Sequence, residues 1–503
     1  MIKKFKPGIV LAIVALILIN FLSDRFFIRA DFTADKIYTL SKATKDILND
    51  LPKTITITAY FTKDLPPDIA NVRNDFKDML VEYYQRSKGK VVFEFIDPSD
   101  KPVDEEVAQR NGIQPLLVNV RAKDQVKQQK VYLGAIVKMG DNTDVIPFLK
   151  PGAAMEYALS TSIKKVSATT KAKIGFLQGE GEPEISAFPQ FVEVISPIYD
   201  LEQLRVNDSS NDLLKYPTII IAAPRDSFSK PKLEALDNFL DNGGNLFIAI
   251  NRVDGNFEQM QGNSVNTGLE TWLARKGVTV EPEFIVDASC ANVGVNQQQG
   301  GFSYTTQVPF PYFPLISTFG KHPATAGLES VVLKFASPIT FRATATNQFE
   351  ELAKSSEKSG ISKLPVQFDI NKQWQESDFT SGSRTISALL QGKSKNGKIW
   401  KIIIVSDGDF AENGSGQNAQ EVQPDNVNFI VNSVDWLTDQ SGLMELRTKE
   451  VTSRPLIQID DSKKVILKWF NFMLPILMAI GFGIYRTQLN RRIRSRRMAA
   501  ATL

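Results

Sequence analysis

The sequence predicts an α/β protein in which two outer α/β domains lie between an N-terminal and a C-terminal transmembrane helix. Three observations support this fold class: an apolar segment near each end of the chain, basic residues on the outer side of both segments, and alternating strand-like and helix-like patterns between them. The predicted parts are a cytoplasmic N-terminus (1–8), a first transmembrane helix (9–28), a first outer domain (29–168), a second outer domain (169–460), a second transmembrane helix (465–485) and a basic tail (486–503).

The C-terminal segment, Val465 to Tyr485, has about the 20 residues that a helix needs to cross a bilayer. Lys468 lies near its end, where a lysine side chain can reach the membrane interface. Pro475 lies inside the segment, and a membrane helix tolerates proline when a neighbouring helix satisfies the carbonyl group that it frees. We therefore expect Pro475 to mark a surface that packs against another helix.

The N-terminal segment, Ile9 to Leu22, is shorter and allows two interpretations, a cleaved secretory signal or an uncleaved signal anchor. No small-x-small cleavage pattern follows it. Phe26 and Phe27 can instead extend the apolar stretch and lie at the interface. An uncleaved helix over 9–28 is the favoured interpretation.

The charge distribution predicts the topology. The whole chain has a formal net charge of +3. Nine positive charges lie at its ends, on Lys3, Lys4, Lys6 and the six arginines from Arg486 to Arg497, and therefore residues 7–485 have a net charge of −6. By the positive-inside bias both termini are cytoplasmic, and the bulk of the chain lies on the opposite side of the membrane. The terminal arginines fit contact with anionic lipid, and the outer region lacks the basic stripe that nucleic-acid binding requires.

One cysteine, Cys290, and one histidine, His322, limit the available chemistry. An intrachain disulfide, a three-histidine zinc site and a Cys-x-x-Cys redox site are excluded by count. A Cys-His nucleophile pair stays open, beside the interpretation of a small buried thiol and a turn histidine. No cofactor is predicted.

The first outer domain has the pattern β-α-β-α-β-β-α, typical of a thioredoxin-like fold. Its strands are predicted at TITITAYF, VVFEFI, PLLVNV and KVYLGAIVK, the last two as a pair, with an amphipathic helix over 66–87 and a helix after Pro151-Gly152. Because the domain has no cysteine, we expect it to bind or support other parts and not to do redox chemistry.

The second outer domain has the pattern of βαβ units with a parallel sheet, of an amidotransferase-like or flavodoxin-like kind. Strands are predicted at KIGFLQ, TIIIAAP, NLFIAI and KIWKIIIV, with helices over 230–241 and 426–437. Residues 289–383 are less periodic, and both 297–301 and 355–362 are predicted to be exposed loops.

Two segments follow predicted strands at the edge where open α/β sheets place ligands. The first is the turn Gly179, Glu180, Gly181 and Glu182. It lacks the third glycine of a dinucleotide-binding fingerprint, and a tight strand-to-helix turn is the other interpretation. The second contains Asp407 and Asp409, for which a divalent-cation site and a turn or capping role both stay open. No metal site is predicted.

The segment GKSKNGK, 392–398, misses the P-loop pattern. Ile399 replaces the serine or threonine, and a strand follows in place of the helix that would bind phosphate. Since strands flank it on both sides, it is predicted to be a hairpin turn. We therefore expect no nucleotide hydrolysis by this chain.

A series of motifs, in order along nearly the whole chain, resembles the GldG family. These motifs are Asp31-Phe32-Thr33, Tyr38-Thr39-Leu40-Ser41, Phe95-Ile96-Asp97-Pro98, Val131-Tyr132-Leu133-Gly134, the Gly179–Glu182 turn, Asn242-Gly243-Gly244, Lys321-His322-Pro323, Phe335-Ala336-Ser337-Pro338-Ile339, Ser406-Asp407-Gly408-Asp409-Phe410, Asn432-Ser433-Val434-Asp435-Trp436-Leu437 and Leu446-Arg447-Thr448-Lys449.

The resemblance implies an auxiliary, substrate-binding-like protein of an ABC transporter linked to gliding motility, acting with a cytoplasmic ABC ATPase and a separate permease subunit. It also implies a second outer domain like that of a glutamine amidotransferase without its catalytic apparatus. The leading hypothesis is therefore a non-enzymatic transporter subunit in the bacterial inner membrane. Its outer, periplasmic domains would couple the ATP-driven motion of the permease to a periplasmic protein or cell-wall partner.

Two further hypotheses remain. In the alternative, the chain is a periplasmic module that binds a cell-envelope sugar or peptide in a crevice formed by the Gly179–Glu182 turn and residues 407–409. The third is a membrane-anchored hydrolase or transferase, for which no nucleophile-base pair is visible in the sequence.

Overall fold

The computed structural model describes residues 39–65, 69–122, 125–149, 155–168, 171–206, 210–299, 302–342, 347–416, 419–439, 441–448 and 461–500. The predicted first transmembrane helix, 9–28, and the motif Asp31-Phe32-Thr33 lie outside these residues. The chain divides into two units, one up to Val451 and one from Thr452 onward. The predicted α/β class is confirmed in the first unit.

The N-terminal part of the first unit alternates strands and helices, as the sequence predicts. Its helices are α1 (Lys42–Asn49), α2 (Ala70–Arg86), α3 (Pro102–Arg110) and α4 (Met155–Ser167). Its strands are β1 (Ile55–Phe61), β2 (Val91–Ile96), β3 (Leu116–Ala122), β4 (Gln125–Val131), β5 (Leu133–Met139) and β6 (Asn142–Ile146).

Four of these strands form a sheet in the order β2-β1-β5-β6, with β1 parallel to β2 and antiparallel to β5. Apolar side chains of α2 and α4, among them Phe76 and Leu159, pack on this sheet and are fully buried. One detail of the prediction is wrong: the run KVYLGAIVK is not a single strand. It divides at Tyr132, so that β4 pairs with β3 in a separate hairpin and β5 enters the sheet.

The C-terminal part of the first unit is larger. Its helices are α5 (Pro189–Ile195), α6 (Lys230–Asp241), α7 (Leu269–Arg275) and α8 (Pro424–Thr438). Its strands are β7 (Ala172–Leu177), β8 (Tyr199–Leu204), β9 (Thr218–Ala222), β10 (Asn245–Ala249), β11 (Val253–Asn256), β12 (Gln261–Ser264), β13 (Val278–Val280), β14 (Glu283–Asp287), β15 (Cys290–Gln299), β16 (Phe302–Ile316), β17 (Thr318–Phe319), β18 (Val331–Val332), β19 (Ile339–Phe341), β20 (Gln348–Lys354), β21 (Ser359–Lys363), β22 (Val366–Gln367), β23 (Thr385–Lys393) and β24 (Ile399–Val405).

The main sheet has the strand order β17-β20-β23-β24-β10-β9-β7-β8. Its apolar side chains alternate between two cores, as they must in strands that are covered on both faces. Ile220, Phe247 and Ile403 face the core that contains α5 and α8. Their neighbours in sequence, among them Ile219 and Ile402, face the core that contains α6 and α7.

The prediction of a parallel sheet is correct for only part of the main sheet. Strands β8, β7, β9, β10 and β24 are mutually parallel, whereas β23, β20 and β17 are antiparallel to their neighbours. The change from parallel to antiparallel pairing occurs at β23, because the turn at residues 394–398 joins β23 directly to β24. Two strands joined by so short a turn can pair only in the antiparallel sense. The hairpin predicted for GKSKNGK is therefore present.

The prediction of loops at 297–301 and 355–362 is wrong for most of these residues. Gln297–Gln299 belong to β15, which pairs with β16 in a long ribbon. Ser359 begins β21, and both Ser355 and Ser359 are fully buried. These segments contain polar side chains without a hydrophobic alternation, and therefore the sequence carries no strand signal there.

The second unit contains one described helix, α9 (Asp461–Ala500). It includes the predicted transmembrane segment 465–485 and continues through most of the predicted tail, 486–503, so that the tail is helical as far as Ala500. By length and composition, Lys468–Arg492 is the candidate membrane span among the described residues.

Candidate functional site

The carboxyl ends of four parallel strands meet at one edge of the main sheet. The chain leaves β7 toward the Gly179–Glu182 turn, β9 toward Ala223 and Arg225, β10 toward Asn251, and β24 toward Asp407 and Asp409. Because β24, β10, β9 and β7 are consecutive in the sheet, both segments singled out in the sequence lie at this same edge.

Asp407 is fully buried and accepts two backbone hydrogen bonds. Its Oδ2 accepts from the Lys334 N–H at 2.5 Å, and its Oδ1 accepts from the Asp409 N–H at 2.9 Å. Burial, together with the neighbouring Asp409 carboxylate, raises the pKa of Asp407. Asp407 therefore joins the end of β24 to the segment around Lys334. These two hydrogen bonds within the protein account for the buried carboxyl group, and no bound ligand is needed to explain it.

Asn251 connects the end of β10 to the end of β24. Its Oδ1 accepts from the Gly408 N–H at 2.6 Å, and its Nδ2 donates to Asp409 Oδ2 at 3.0 Å. Asp409 is partly exposed at its side chain, and burial raises its pKa as well. One amide side chain thus binds both a backbone donor and one oxygen of a carboxylate at the sheet edge.

Gly408 is required by a close approach of two strand ends. A Cβ atom at this position would lie 2.6 Å from Ala223 Cα and 2.8 Å from Ala223 Cβ. Ala223 itself has a φ of +49°, a left-handed conformation that is uncommon for alanine. The two strand ends therefore touch through their backbones, which leaves little room for a bound molecule between them.

Arg225 links the two predicted segments. Its backbone N–H donates to the Glu180 carbonyl at 2.9 Å. Its guanidinium donates to Asp254 at 3.1 Å and lies 3.6 Å from Asp409 Oδ1. Neither Arg225 nor Asn251 is among the residues predicted from the sequence, although each closely follows a buried strand, which is the signal that could have found them.

The glutamates of the Gly179–Glu182 turn are engaged within the protein. Glu180 is 2% exposed and pairs with Lys232, while Glu182 accepts the Glu180 N–H at 2.7 Å and has its pKa raised by burial. Gly179 and Gly181 have φ values of +122° and +77°, so that glycine is needed at both positions. The turn is thus held by its own acidic side chains.

The described residues offer no metal cluster at this edge, and Cys290 and His322 belong to other segments of the chain. No group of three His, Cys, Asp or Glu side chains among them is close enough to hold a metal ion. Cys290 lies at the start of β15 and is partly buried, with its pKa raised by burial. His322 accepts the Ala324 N–H at Nδ1, 3.1 Å away, and caps a short 3₁₀ turn, as expected of a turn histidine.

A second region lies between the part of the first unit that contains the four-stranded sheet and the part that contains the main sheet. Helix α4 packs on the segment Leu443–Thr448, where the Tyr157 hydroxyl contacts Met444 Sδ at 3.2 Å. Lys164 of α4 lies 3.1 Å from Asp439, whose side chain is 2% exposed. A cavity of about 630 Å³ opens beside this contact and is lined in part by Tyr199.

Asp439 is the centre of this joint. Its two oxygens also accept the N–H groups of Ser441 and Met444, at 2.9 and 3.0 Å. Burial acts to raise the pKa of Asp439, but Lys164 and these hydrogen bonds outweigh it and hold the pKa below its usual value. The joint has no signature in the sequence, because its members are far apart along the chain.

Helix α9 presents large apolar side chains on its surface. Trp469, Phe472 and Phe482 are each more than half exposed within the chain, and Pro475 lies inside the helix. A surface of this composition over 25 residues is suited to lipid and to other membrane helices.

Comparison with known proteins identifies the family. The family model described as ABC-type uncharacterized transport system (ABC_transp_aux) matches residues 171–433, which contain the main sheet and residues 253–383, the β-rich region that holds β11 to β22. The chain belongs to this family. As a member it is an auxiliary protein of an ABC-type transport system, which confirms the predicted class of transporter auxiliary proteins. A second family model, the domain of unknown function DUF7088, matches residues 34–138.

Other proteins are similar to this chain over long stretches. An uncharacterized protein of Borreliella burgdorferi is 22% identical over 92% of this chain and 94% of its own length. Three solved structures align with about half of this chain: the mmIFT52 N-terminal domain (15% identity, 53% of this chain and 97% of that chain, TM-score 0.36), a ThuA-like protein of Parabacteroides merdae (11%, 57% and 93%, 0.28) and a GMP synthase protein of Thermoplasma acidophilum (8%, 55% and 96%, 0.27).

Proposed function

We propose that this chain is a membrane-anchored, non-enzymatic auxiliary subunit of an ABC transporter complex of the GldG type, linked to gliding motility or secretion. In this proposal it acts with a cytoplasmic ABC ATPase and a separate permease subunit, while the bulk of the chain lies in the periplasm. The observation that carries the proposal is the family match over residues 171–433. The exposed apolar surface of α9 supports the membrane anchor.

The geometry of the sheet edge supports a structural role for its acidic residues. Asp407 binds two backbone N–H groups, Glu180 pairs with Lys232, and Asp409 is held by Asn251. Each of these carboxylates therefore has at least one oxygen engaged by an internal partner, while Glu180 Oε2 and Asp409 Oδ1 are buried without a hydrogen bond to the described residues. The alternative of a ligand-binding crevice at Gly179–Glu182 and Asp407–Asp409 therefore has less support than the transporter role.

The proposed mechanism is mechanical. Movement of the permease during ATP hydrolysis is transmitted through α9 to the outer region. In chain order, Leu443–Thr448 is the last described segment before that helix, and α4 packs directly on it. In this proposal the joint of Lys164, Asp439 and Met444 passes the movement to the four-stranded sheet and to the main sheet, and a periplasmic protein or cell-wall partner receives it.

The first test is recovery of the complex from native membranes. The full-length protein is purified in mild detergent, and the proteins that accompany it in stoichiometric amounts are identified by mass spectrometry. We expect a multi-span permease and a P-loop ATPase. Recovery of the chain alone, under conditions that keep other membrane complexes intact, would contradict the proposal.

A second test addresses the mechanical role of α9. Residues 469–491 are replaced by an unrelated apolar helix of the same length, and the flanking Lys468 and Arg492 are kept. We expect the protein to insert normally but to lose the permease and transport function. A matched control replaces only the lipid-compatible side chains Leu477 and Phe482 by isoleucine and leucine, and should behave as the wild type. Full function of the exchanged helix would refute the mechanical role.

A further inference from the structure

Strands β15 and β16 form an antiparallel ribbon within the β-rich region. Its outer part runs from the pair Asn292–Pro309 to the pair Gln299–Phe302, in continuous antiparallel register. These paired positions span about 24 Å at the usual rise of a strand. A register shift between Cys290 and Asn292 separates this outer part from the root of the ribbon.

The root of the ribbon is fixed by aromatic packing. Phe310 and Phe313 of β16 lie 5.1 Å apart, and Tyr312 lies 4.8 Å from Phe368. Phe335 stacks on Phe368 at 5.3 Å in the same cluster. Several ring contacts therefore hold the root of the ribbon against the rest of the β-rich region.

The outer edge of β15 is open. In the part of the chain that the structure describes, β15 pairs with β16 alone. Strand β16 contains Pro309, Pro311 and Pro314, which lie at the root end of the ribbon, whereas β15 contains no proline along its length. An open edge of this length is a template for another strand unless charged residues or prolines protect it.

Charge gives this edge no protection. Residues 288–320 contain no Asp, Glu, Lys or Arg in 33 consecutive positions. At the chain average of 23% charged residues, a stretch of this length would contain about eight. A two-stranded ribbon is only marginally stable by itself in water, so that an added strand would stabilise it.

We propose that β15 pairs with β15 of a second copy of this chain, in antiparallel orientation, to form a four-stranded sheet across a twofold axis. A second copy fits this edge because its strand has the same length and no charge, so that like-charge repulsion is absent. Antiparallel pairing of identical strands is the arrangement that a twofold axis produces. The interface is thus self-complementary.

The register of this pairing follows from the alternation of side chains. Directly opposed residues in an antiparallel pair have their side chains on the same face of the sheet. The twofold axis must therefore pass between the two copies of one residue, which are directly opposed to each other. The middle of the outer part places that residue at Val295. Val293, Val295 and Val308 are half-buried on one face of the ribbon, and pairing would join this face to its copy.

The pairing predicts different effects for two adjacent positions. Val295 and Thr306 are opposite each other in the ribbon and are both half-buried. In the four-stranded sheet, the two copies of residue 295 would be about 5 Å apart, whereas the two copies of residue 306 would be separated by three strand spacings, about 14 Å. Only charges at residue 295 are closer than the Debye length of about 10 Å.

The test measures the mass of the purified full-length chain in detergent by light scattering, without the permease, so that its result does not depend on the transporter assignment. We expect a dimer for the wild type and for Thr306→Lys. Val295→Lys and Val295→Glu should each raise the dissociation constant at least about tenfold and give monomers, because like charges directly opposed across a strand pair are destabilising. A mixture of the Val295→Lys and Val295→Glu proteins should restore the dimer, which shows that both variants are folded.

Three results would overturn the proposal. These are a monomeric wild type, a dimer that persists in both Val295 variants, and equal disruption by Thr306→Lys. If the wild type is monomeric and Val295→Lys loses the permease from the native complex, the edge of β15 binds a different protein and self-pairing is rejected.

Discussion

His322 provides a sharp test of the structure because it is the only histidine in the chain. Its side chain is buried, its ring lies 4.4 Å from that of Trp436, and its Nδ1 accepts the Ala324 N–H. Burial, and to a lesser degree the charge of Lys401, lower the pKa of His322 from 6.5 to about 4. We expect the imidazole to stay neutral in the folded protein at neutral pH, with its proton on Nε2.

The size of the effect follows from proton linkage. Between pH 6.5 and about pH 4, the unfolded chain binds a proton at His322 that the folded chain does not bind, so that stability falls as the pH falls. At about 1.4 kcal/mol for each pH unit, the full interval corresponds to about 3 kcal/mol. Other buried acids have raised pKa values and act in the opposite direction, and therefore only a comparison with a variant isolates the histidine.

The variant is His322→Gln, which retains an acceptor for the Ala324 N–H but cannot take up a proton. Urea unfolding of both full-length proteins is measured from pH 7.5 to 4.5. The stability advantage of the wild type should shrink by about 2 to 3 kcal/mol over this range. A carbon-13 label on the single imidazole gives its pKa directly by NMR. A folded-state pKa near 6.5, or parallel pH curves for the two proteins, would refute the reasoning.

Three further outcomes are expected. Gly408→Ala should lower the free energy of unfolding by about 3 kcal/mol, because its Cβ would meet the Ala223 backbone at 2.6 Å; an unchanged urea midpoint would contradict the close contact. Asp439→Asn should lower the free energy of unfolding by about 2 to 3 kcal/mol, and Lys164→Met should lower it less because Lys164 is 40% exposed at its side chain. The stability difference between the wild type and Asp439→Asn should disappear as the pH falls below about 4, as expected for a carboxylate with a lowered pKa. The same difference in urea midpoint at pH 7 and pH 3 would contradict this prediction. Pro475→Ala restores a backbone N–H within α9, and we expect weaker recovery of the permease at unchanged expression; undiminished recovery would count against Pro475 as a packing surface.

The elements with strong local signals could be predicted from the sequence. Helix α6 ends where Asn242-Gly243-Gly244 predicts, and Gly243 has the φ of +88° that a helix stop favours. Strands β9, β10 and β24 are continuous apolar runs in a sheet covered on both faces, which is the pattern that predicts them.

The β-rich region could not be predicted, because its order depends on polar contacts. Ser355 and Ser359 are buried, and the Ser355 hydroxyl donates a hydrogen bond to Ser359 Oγ at 3.0 Å. The Ser359 hydroxyl in turn donates to the Gly382 carbonyl. Serines that fill a core in this way leave no hydrophobic period in the sequence. The same holds for the amide-rich strand β15.

The candidate site was predictable in part. The Gly179–Glu182 turn and Asp407–Asp409 each follow a strand, and the sequence places each at a strand end. Their common neighbour Arg225 depends on the order of β24, β10, β9 and β7 in the sheet, which the chain does not encode locally. The partners that make these acids structural, Asn251 and Lys232, were for the same reason not foreseen.

The antiparallel half of the main sheet has a consequence for how the molecule can come apart. Strands β17 and β20 belong to the β-rich region by sequence but pair with β23 in the main sheet. Asp425 at the start of α8 also accepts the N–H groups of Glu329 and Ser330. A protease that cuts exposed turns between residues 253 and 383 should therefore leave nicked pieces that stay together in a gel-filtration column, and denaturant should be needed to separate them.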